Sequence, residues 1–291
     1  LGKGKRKPIV YDAHESFTDM LAGSVPAWLR RALAGLENLL IRRTDLLITV
    51  GEKLRRHFEE RGARRSVSVG NWKRLEEFAI EPGEVRRGRA SLGIPAEGLS
   101  IVCITQLLPD RQIAELLDAA DSCADVYVVV GGKGALEGLV RERAAKNPRI
   151  KYVGLVRAAD IPLYTCAADV VYYGFDPANP NARFSAPNKL YEALAAGRPL
   201  ITGDFGEIAD VVRAAQCGIV LPRYSASEVV RAIDQMRDPA RRSEMAANAL
   251  RFGRGAMNWS RGEEILNEEY SRLLRRPISQ PSTPTRCRVS S

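Results

Sequence analysis

The chain is poor in the residues on which many site chemistries depend. His14 and His57 are its two histidines, too few and too far apart for a histidine metal cluster. The five cysteines, Cys103, Cys123, Cys166, Cys217 and Cys287, are widely spaced with no CxxC pair. That indicates neither a zinc site nor a disulfide framework, and suits reduced, buried thiols in a cytosolic protein. No D-x-D occurs, so no metal-binding residue is nominated. Apolar runs all fall short of the roughly 18 residues a transmembrane helix needs, and no apolar h-region follows the basic start, so neither a membrane span nor a signal peptide is expected. No G-x-G-x-x-G follows a strand. Gly131-Gly132-Lys133-Gly134 comes nearest with the wrong spacing, which argues against a nicotinamide oxidoreductase.

What is present suits two domains: 291 residues, 45% hydrophobic. The net charge of +9 is uneven, because residues 1–88 hold 18 Lys/Arg against 12 Asp/Glu. Such an excess attracts an anionic membrane surface, nucleic acid or an anionic substrate. Aromatics are not interleaved with the basic residues and no nucleic-acid module is recognisable, so nucleic acid is not expected as a partner.

The patterning is α/β. Ile9–Tyr11, Leu46–Val50 and Ser66–Val69 read as strands, separated by helices at Pro26–Arg43 and Glu52–Arg61. The first helix, with Trp28, Leu29, Leu33, Leu36, Leu40 and Ile41 at near-helical spacing, is expected to pack on the local sheet. Covering a partner or lying on a membrane is the other option for it. Residues 81–90, with Pro82, Gly83 and Gly88, read as a linker. Six further strands follow at Ser100–Ile104, Val126–Val130, Ile150–Val153, Val170–Tyr173, Leu200–Thr202 and Gly218–Leu221. Helices at about 111–122, 134–146, 159–166, 187–196, 206–215 and 225–236 separate them, the pattern of a doubly wound parallel sheet. The expected division is 1–85, 91–253, a terminal crossover helix in 254–276, and a disordered tail at 277–291 with three prolines.

The richest segment runs from Ser185 to Asp204. Pro187 presets a helix start, Gly197 ends the helix, and Leu200–Thr202 is an apolar strand. Free amides at the helix tip beside Lys189 make a ready anion site. Spaced four and three apart, Ser185, Lys189 and Glu192 are expected on one helix face, offering a hydroxyl, a cation and a carboxylate. These suit a phosphate at the tip and a ribose diol one turn further in.

The pattern A-P-N-K-L-Y-E-A-L-A-A-G-R-P-L-I, with Y-D-A-H-E at 11–15 and the V-G…L-Y…A-D-V run at 153–170, resembles the GT-B nucleotide-sugar glycosyltransferases, in particular the large retaining family 4. The resemblance covers roughly 8–275. It implies a GT-B-like fold of two Rossmann-like doubly wound parallel-sheet domains. The C-terminal one binds the donor, and the N-terminal, acceptor-side one is incomplete, since relatives carry several strands ahead of Tyr11. The family's E-x7-E motif is half present: Glu192 matches the second glutamate, and Phe184 occupies the place of the first.

Site roles follow from that resemblance. Donor binding falls to Ser185, Asn188, Lys189 and Glu192, to Gly154 and Leu155, whose backbone would meet the base, and to Lys133 in the Gly-rich loop. Arg111 matches the arginine that reaches the diphosphate, and Gln112 stands where a second cation or a glycine is common. His14, at a strand end facing the cleft, would face the sugar or the departing phosphate. The catalytic candidates are therefore His14, Arg111 and Lys189, with metal-free leaving-group stabilisation. Arg183 in the Pro/Asn-rich loop 175–184 is a phosphate candidate or a solvated loop residue, and Asn71 reads as a boundary turn.

The function implied is transfer of a sugar, with retention, from a nucleotide-diphosphate sugar to a glycan, lipid-linked or small-molecule acceptor. No cofactor is required beyond that donor substrate. The location is cytoplasmic, with peripheral contact to the inner membrane face as a further option and cell-envelope polysaccharide synthesis as the setting. The alternatives are an idle or truncated sugar-nucleotide-binding scaffold, and a GT-B epimerase or phosphorylase.

Overall fold

A computed structural model describes residues 7–21 and 24–274. The expected tail, Cys287 and the last two residues of the expected crossover segment lie outside the described residues. The chain opens with β1 (Val10–Ala13), α1 (Phe17–Met20), α2 (Ala27–Ile41), β2 (Leu46–Thr49), α3 (Glu52–Glu60) and β3 (Ser66–Ser68). These strands pair in parallel in the order β1-β2-β3, with Val10 opposite Leu46 and Leu47 opposite Ser66. The central strand, Leu46-Leu47-Ile48-Thr49, is buried throughout, as a parallel strand covered on both faces must be.

After α4 (Pro82–Ser91) come β4 (Leu99–Ile104), α5 (Ile113–Ser122), β5 (Val126–Gly131), α6 (Glu137–Lys146), β6 (Ile150–Tyr152), α7 (Ile161–Ala167), β7 (Val170–Tyr173), α8 (Asn188–Ala196), β8 (Leu200–Gly203), α9 (Gly206–Ala215) and β9 (Gly218–Leu221). This second sheet is parallel, in the order β6-β5-β4-β7-β8-β9. The order reverses between β4 and β7, and the crevice at the carboxyl ends of those strands is where open α/β sheets bind ligands. α10 (Ala226–Arg237) and α11 (Pro239–Gly255) follow. α12 (Trp259–Leu274) then returns to the first sheet: Trp259, Ile265, Leu266, Tyr270 and Leu273 pack around Leu46, Ile48 and Val69. One core also joins the two halves, running from Ala13, Val50, Leu54 and Phe58 to Phe184, Ala186 and Tyr191.

Three expectations are corrected. The linker at 81–90 is helical: Pro82 opens α4 in a position where its missing N–H is harmless, and Gly88 lets the helix lie close to Leu163. Arg89 on that helix bonds Asp169 at 3.0 Å, Ser100 Oγ at 2.9 Å and the Gly98 carbonyl at 2.7 Å, so the segment is anchored to the second sheet. Helix α5 begins at Ile113, two residues later than expected. Pro109–Arg111 forms a 3-10 turn, and Gln112, at φ +52°, resets the chain direction in the left-handed region. The third correction concerns α2, of which only Ile41 is fully buried. Trp28, Leu36, Leu39 and Leu40 are each about half exposed or more, because the described sheet is too narrow to cover both flanks of the helix. Among the described residues no helix is long and apolar enough to cross a membrane.

Candidate functional site

Between the two sheets runs a cleft made of three adjoining cavities. The largest, about 440 Å³, is walled by Thr105 and Gln106 after β4, Arg111, Tyr173 at the end of β7, the first turns of α8, and Asn71 and Lys73 after β3. A second, about 290 Å³, shares Asn71, Arg111, Tyr173 and Pro187 with it and adds His14, Phe184 and Ser185. The third, about 350 Å³, lies on the side of the first sheet and is lined by His14, Asn71, Lys73, Trp72, Trp259 and Tyr270. Asn71, expected only at a turn, touches all three and donates to the Ala186 carbonyl at 3.4 Å.

Lys189 and Glu192 converge. They line the same cavity and form an ion pair with each other, Lys189 donating to Glu192 Oε2. Glu192 is 3% exposed, and burying a carboxylate is costly unless it is paired and hydrogen-bonded. A second cation is close by: Lys73 Nζ lies 3.8 Å from Glu192 Oε1 and donates to Asn188 Oδ1 at 2.7 Å. Burial lowers the Lys73 pKa from its ordinary value, with Lys189 adding to the effect and Glu192 opposing it. Pro187, Asn188 and Lys189 at the tip of α8 line this space, and the Leu190 amide is already taken by the Pro187 carbonyl at 3.1 Å.

Arg111 is held as a platform between two of the cavities. It donates to Tyr173 Oη at 3.2 Å, its guanidinium lies 4.2 Å from the centre of the Phe175 ring, and its buried Nε has no hydrogen-bond partner. That Nε lies 3.6 Å from Asp110 Oδ1, an ion-pair contact without hydrogen-bond geometry. His14 follows β1, well exposed, 3.6 Å from Asp12 and across the cleft from Arg111.

Other expected residues are placed differently. Ser185 does not share the α8 face: Pro187 caps the helix and the chain at Ser185 is extended, so the four-residue spacing carries no helical meaning there. It still lines the cavity that holds Arg111 and His14. Lys133, Gly154 and Leu155 line none of these cavities. They follow β5 and β6, away from the β4/β7 switch point, with Lys133 exposed, Leu155 67% exposed, and the Gly154 carbonyl accepting from Gly132. Arg183 points away from the cleft, bonding Asp19 at 2.7 Å and stacking on Phe184. Phe184 is itself packed against His57, with ring centres 4.7 Å apart.

Sequence reasoning missed Lys73, and it missed Glu207. Glu207, nearly buried at the start of α9, accepts from the Lys53 amide at 3.3 Å and so caps the N-terminus of α3 from across the cleft. Lys53 reciprocates, donating to the Gly206 carbonyl at 2.7 Å. A Cβ at residue 51 would sit 2.3 Å from Glu207 Oε2, so any larger residue there displaces this carboxylate. Burial raises the Glu207 pKa above its ordinary 4.5, so the fold disfavours the ionised form relative to the unfolded chain. Stability from this group is therefore complete below pH 4.5 and declines as pH rises through the raised value. Glu207→Gln is expected to match the wild type in acid and to become progressively more stable than it toward neutrality. Urea unfolding of both proteins across that range measures the divergence, and parallel curves would contradict it.

Residues 98–238, which hold the second sheet, match the family model described as "Glycosyl transferases group 1". Protein YtcC of Bacillus subtilis (strain 168) is 31% identical over 127 residues, covering 43% of this chain and 30% of that protein. The D-inositol 3-phosphate glycosyltransferase of Acidothermus cellulolyticus is 23% identical over 207 residues, covering 61% of this chain and 43% of that protein. The chain thus spans less than half the length of these curated relatives. Among solved structures, Anabaena Alr3699/HepE in complex with UDP-glucose superimposes with a TM-score of 0.74 at 19% identity, over 91% of this chain and 72% of that one. Sucrose-phosphate synthase from Thermosynechococcus elongatus gives 0.73 at 18% identity, over 91% and 68%. At such identities these structures speak for the fold.

Proposed function

We propose, because residues 98–238 match the group 1 glycosyltransferase family model, that the chain moves a sugar from a nucleotide-diphosphate donor to an acceptor, with retention at the anomeric carbon. The observation that carries this reading is the convergence of Lys189, Glu192 and Arg111 on one cavity, at the sheet's switch point and the tip of α8. In it Glu192 accepts from the ribose diol. Arg111, Lys189 and the α8 amides hold the diphosphate, with Asn188 at the tip and Ser185 toward the distal phosphate. When the bond from the anomeric carbon to the phosphate oxygen breaks, the electron pair stays on the diphosphate, and these cations and amides stabilise the added charge. His14 faces the reacting sugar from the opposite wall. The base would lie toward Gly154, Leu155 and Lys133, where backbone pairing needs no particular side chain. Retention and metal-independence rest on the family resemblance.

A thermal-shift screen against UDP-, GDP- and ADP-sugars tests the proposal, with UDP-glucose first because the Anabaena protein was solved with it. A bound donor at a hundred times its Kd adds about 2.7 kcal/mol, which is several degrees in Tm for a chain of this size. No shift with any of them would remove the assignment. Phe184, packed on His57 where the family has its first glutamate, favours a second reading: a subunit that binds donor without turning it over. Donor binding with neither transfer nor hydrolysis would support that reading, and product analysis separates transfer from epimerisation or phosphorolysis.

A further inference from the structure

Resting on the reading of the cleft as a diphosphate site, we propose that Lys73 is a specificity-determining ligand of the donor's diphosphate, a third cation delivered from the N-terminal half of the molecule. Its position is built. The main chain at Lys73 bridges Asn258 in parallel, and its carbonyl accepts from the Trp259 amide at 3.0 Å, so the start of α12 pins it. From there the side chain crosses to the tip of α8, where Nζ meets Asn188 Oδ1 at 2.7 Å, a neutral acceptor 115 residues away in sequence.

Charge balance sets the ligand class. The largest of the three cleft cavities is lined by Arg111, Lys189 and Lys73 and by one carboxylate, Glu192, while Asp110 sits outside that lining, 3.6 Å from Arg111 Nε. Without Lys73 the balance is one positive charge, and with it two. A diphosphate diester carries one negative charge on each phosphate, which equals the net charge of the lining side chains when Lys73 is counted. The local contacts are poised for the exchange. Lys189 holds one oxygen of Glu192 and Lys73 approaches the other. A ribose diol arriving at that carboxylate weakens both contacts, and a phosphate oxygen is a stronger acceptor for an ammonium than the Asn188 amide. Burial lowers the Lys73 pKa although Glu192 and Glu77 favour its charged form, so an added anion beside it would favour that form further. A ligand held by Arg111 and Lys189 from one half and Lys73 from the other also ties the two halves together across the cleft.

Titration calorimetry on wild type, Lys73→Met, Lys73→Gln and Lys73→Arg tests this, using UDP, GDP and ADP, their monophosphates, and inorganic pyrophosphate. Lys73→Met and Lys73→Gln are expected to bind the diphosphates and pyrophosphate about ten- to a hundredfold more weakly, the loss of one charge-assisted contact. The monophosphates should change by less than about threefold, and arginine should restore most of the affinity. Gln keeps a donor for Asn188 without the charge, so it serves if the Met variant does not fold. Unchanged diphosphate affinity in Lys73→Gln, or equal losses for mono- and diphosphates, would overturn the proposal. If wild type binds pyrophosphate in a Lys73-dependent way but none of the nucleotides, the nucleotide-sugar reading falls and Lys73 keeps its role. If it binds neither, both fall.

Discussion

Replacing Glu192 with alanine is expected to weaken nucleotide-sugar binding at least a hundredfold while leaving pyrophosphate binding unchanged or tighter. The opposite signs come from the double duty of this carboxylate. In the proposed donor complex it is the acceptor for two ribose hydroxyls, and hydrogen bonds to a charged group contribute about 1.5–3 kcal/mol each, enough for that loss. Toward the phosphates it competes, because it already neutralises Lys189 and faces Lys73. Removing it frees both ammonium groups for an inorganic anion. The fold should lose roughly 1–3 kcal/mol, less than a fully buried pair would, since the cations border an open cavity. Calorimetry with the best donor from the screen and with pyrophosphate measures both signs. If donor affinity survives, Glu192 is only a counter-ion for two lysines and the ribose assignment is wrong.

The largest effect on stability is expected at Gly132. It sits at φ +134°, outside the range of other residues, and a Cβ there would lie 1.8 Å from the Thr105 carbonyl oxygen. Its amide donates to the Gly154 carbonyl at 2.7 Å and its own carbonyl accepts from Tyr152 Oη at 2.8 Å, so the turn cannot swing aside without breaking both bonds. Backbone strain and overpacking together put the cost of Gly132→Ala at roughly 2–6 kcal/mol. Thr105 and Gln106 wall the largest cleft cavity, so on the proposed reading the displacement should also weaken donor binding. Gly138→Ala is the control: it lies in α6 with nothing within 4 Å of the added Cβ, and should be neutral or stabilising by up to about 1 kcal/mol. Equal urea midpoints for the two variants would show that the turn at Gly132 is looser than described.

Much of the fold was legible because it is local. The strand and helix order follows apolar periodicity, and α8 follows Pro187 at one end and Gly197 at the other. The same local signals misled at 81–90, where proline and glycine read as a linker. There proline opens a helix and Gly88 gives it close contact with Leu163. They misled again at Ser185, where helical spacing was counted through residues that are not helical.

By itself the sequence determined the two parallel α/β units and the meeting of Lys189 and Glu192, because residues three apart on one helix share a face whatever surrounds them. Only the tertiary structure decided the rest. It brought Asn71 and Lys73 to the α8 tip, turned Arg183 outward onto Asp19, left Lys133 and Leu155 off the cavity, and lent Glu207 to α3 as a cap. The contacts of Asn71, Lys73, Arg183 and Glu207 depend on how the two halves seat against each other, and their partners lie more than a hundred residues apart, far beyond any spacing that a local pattern encodes.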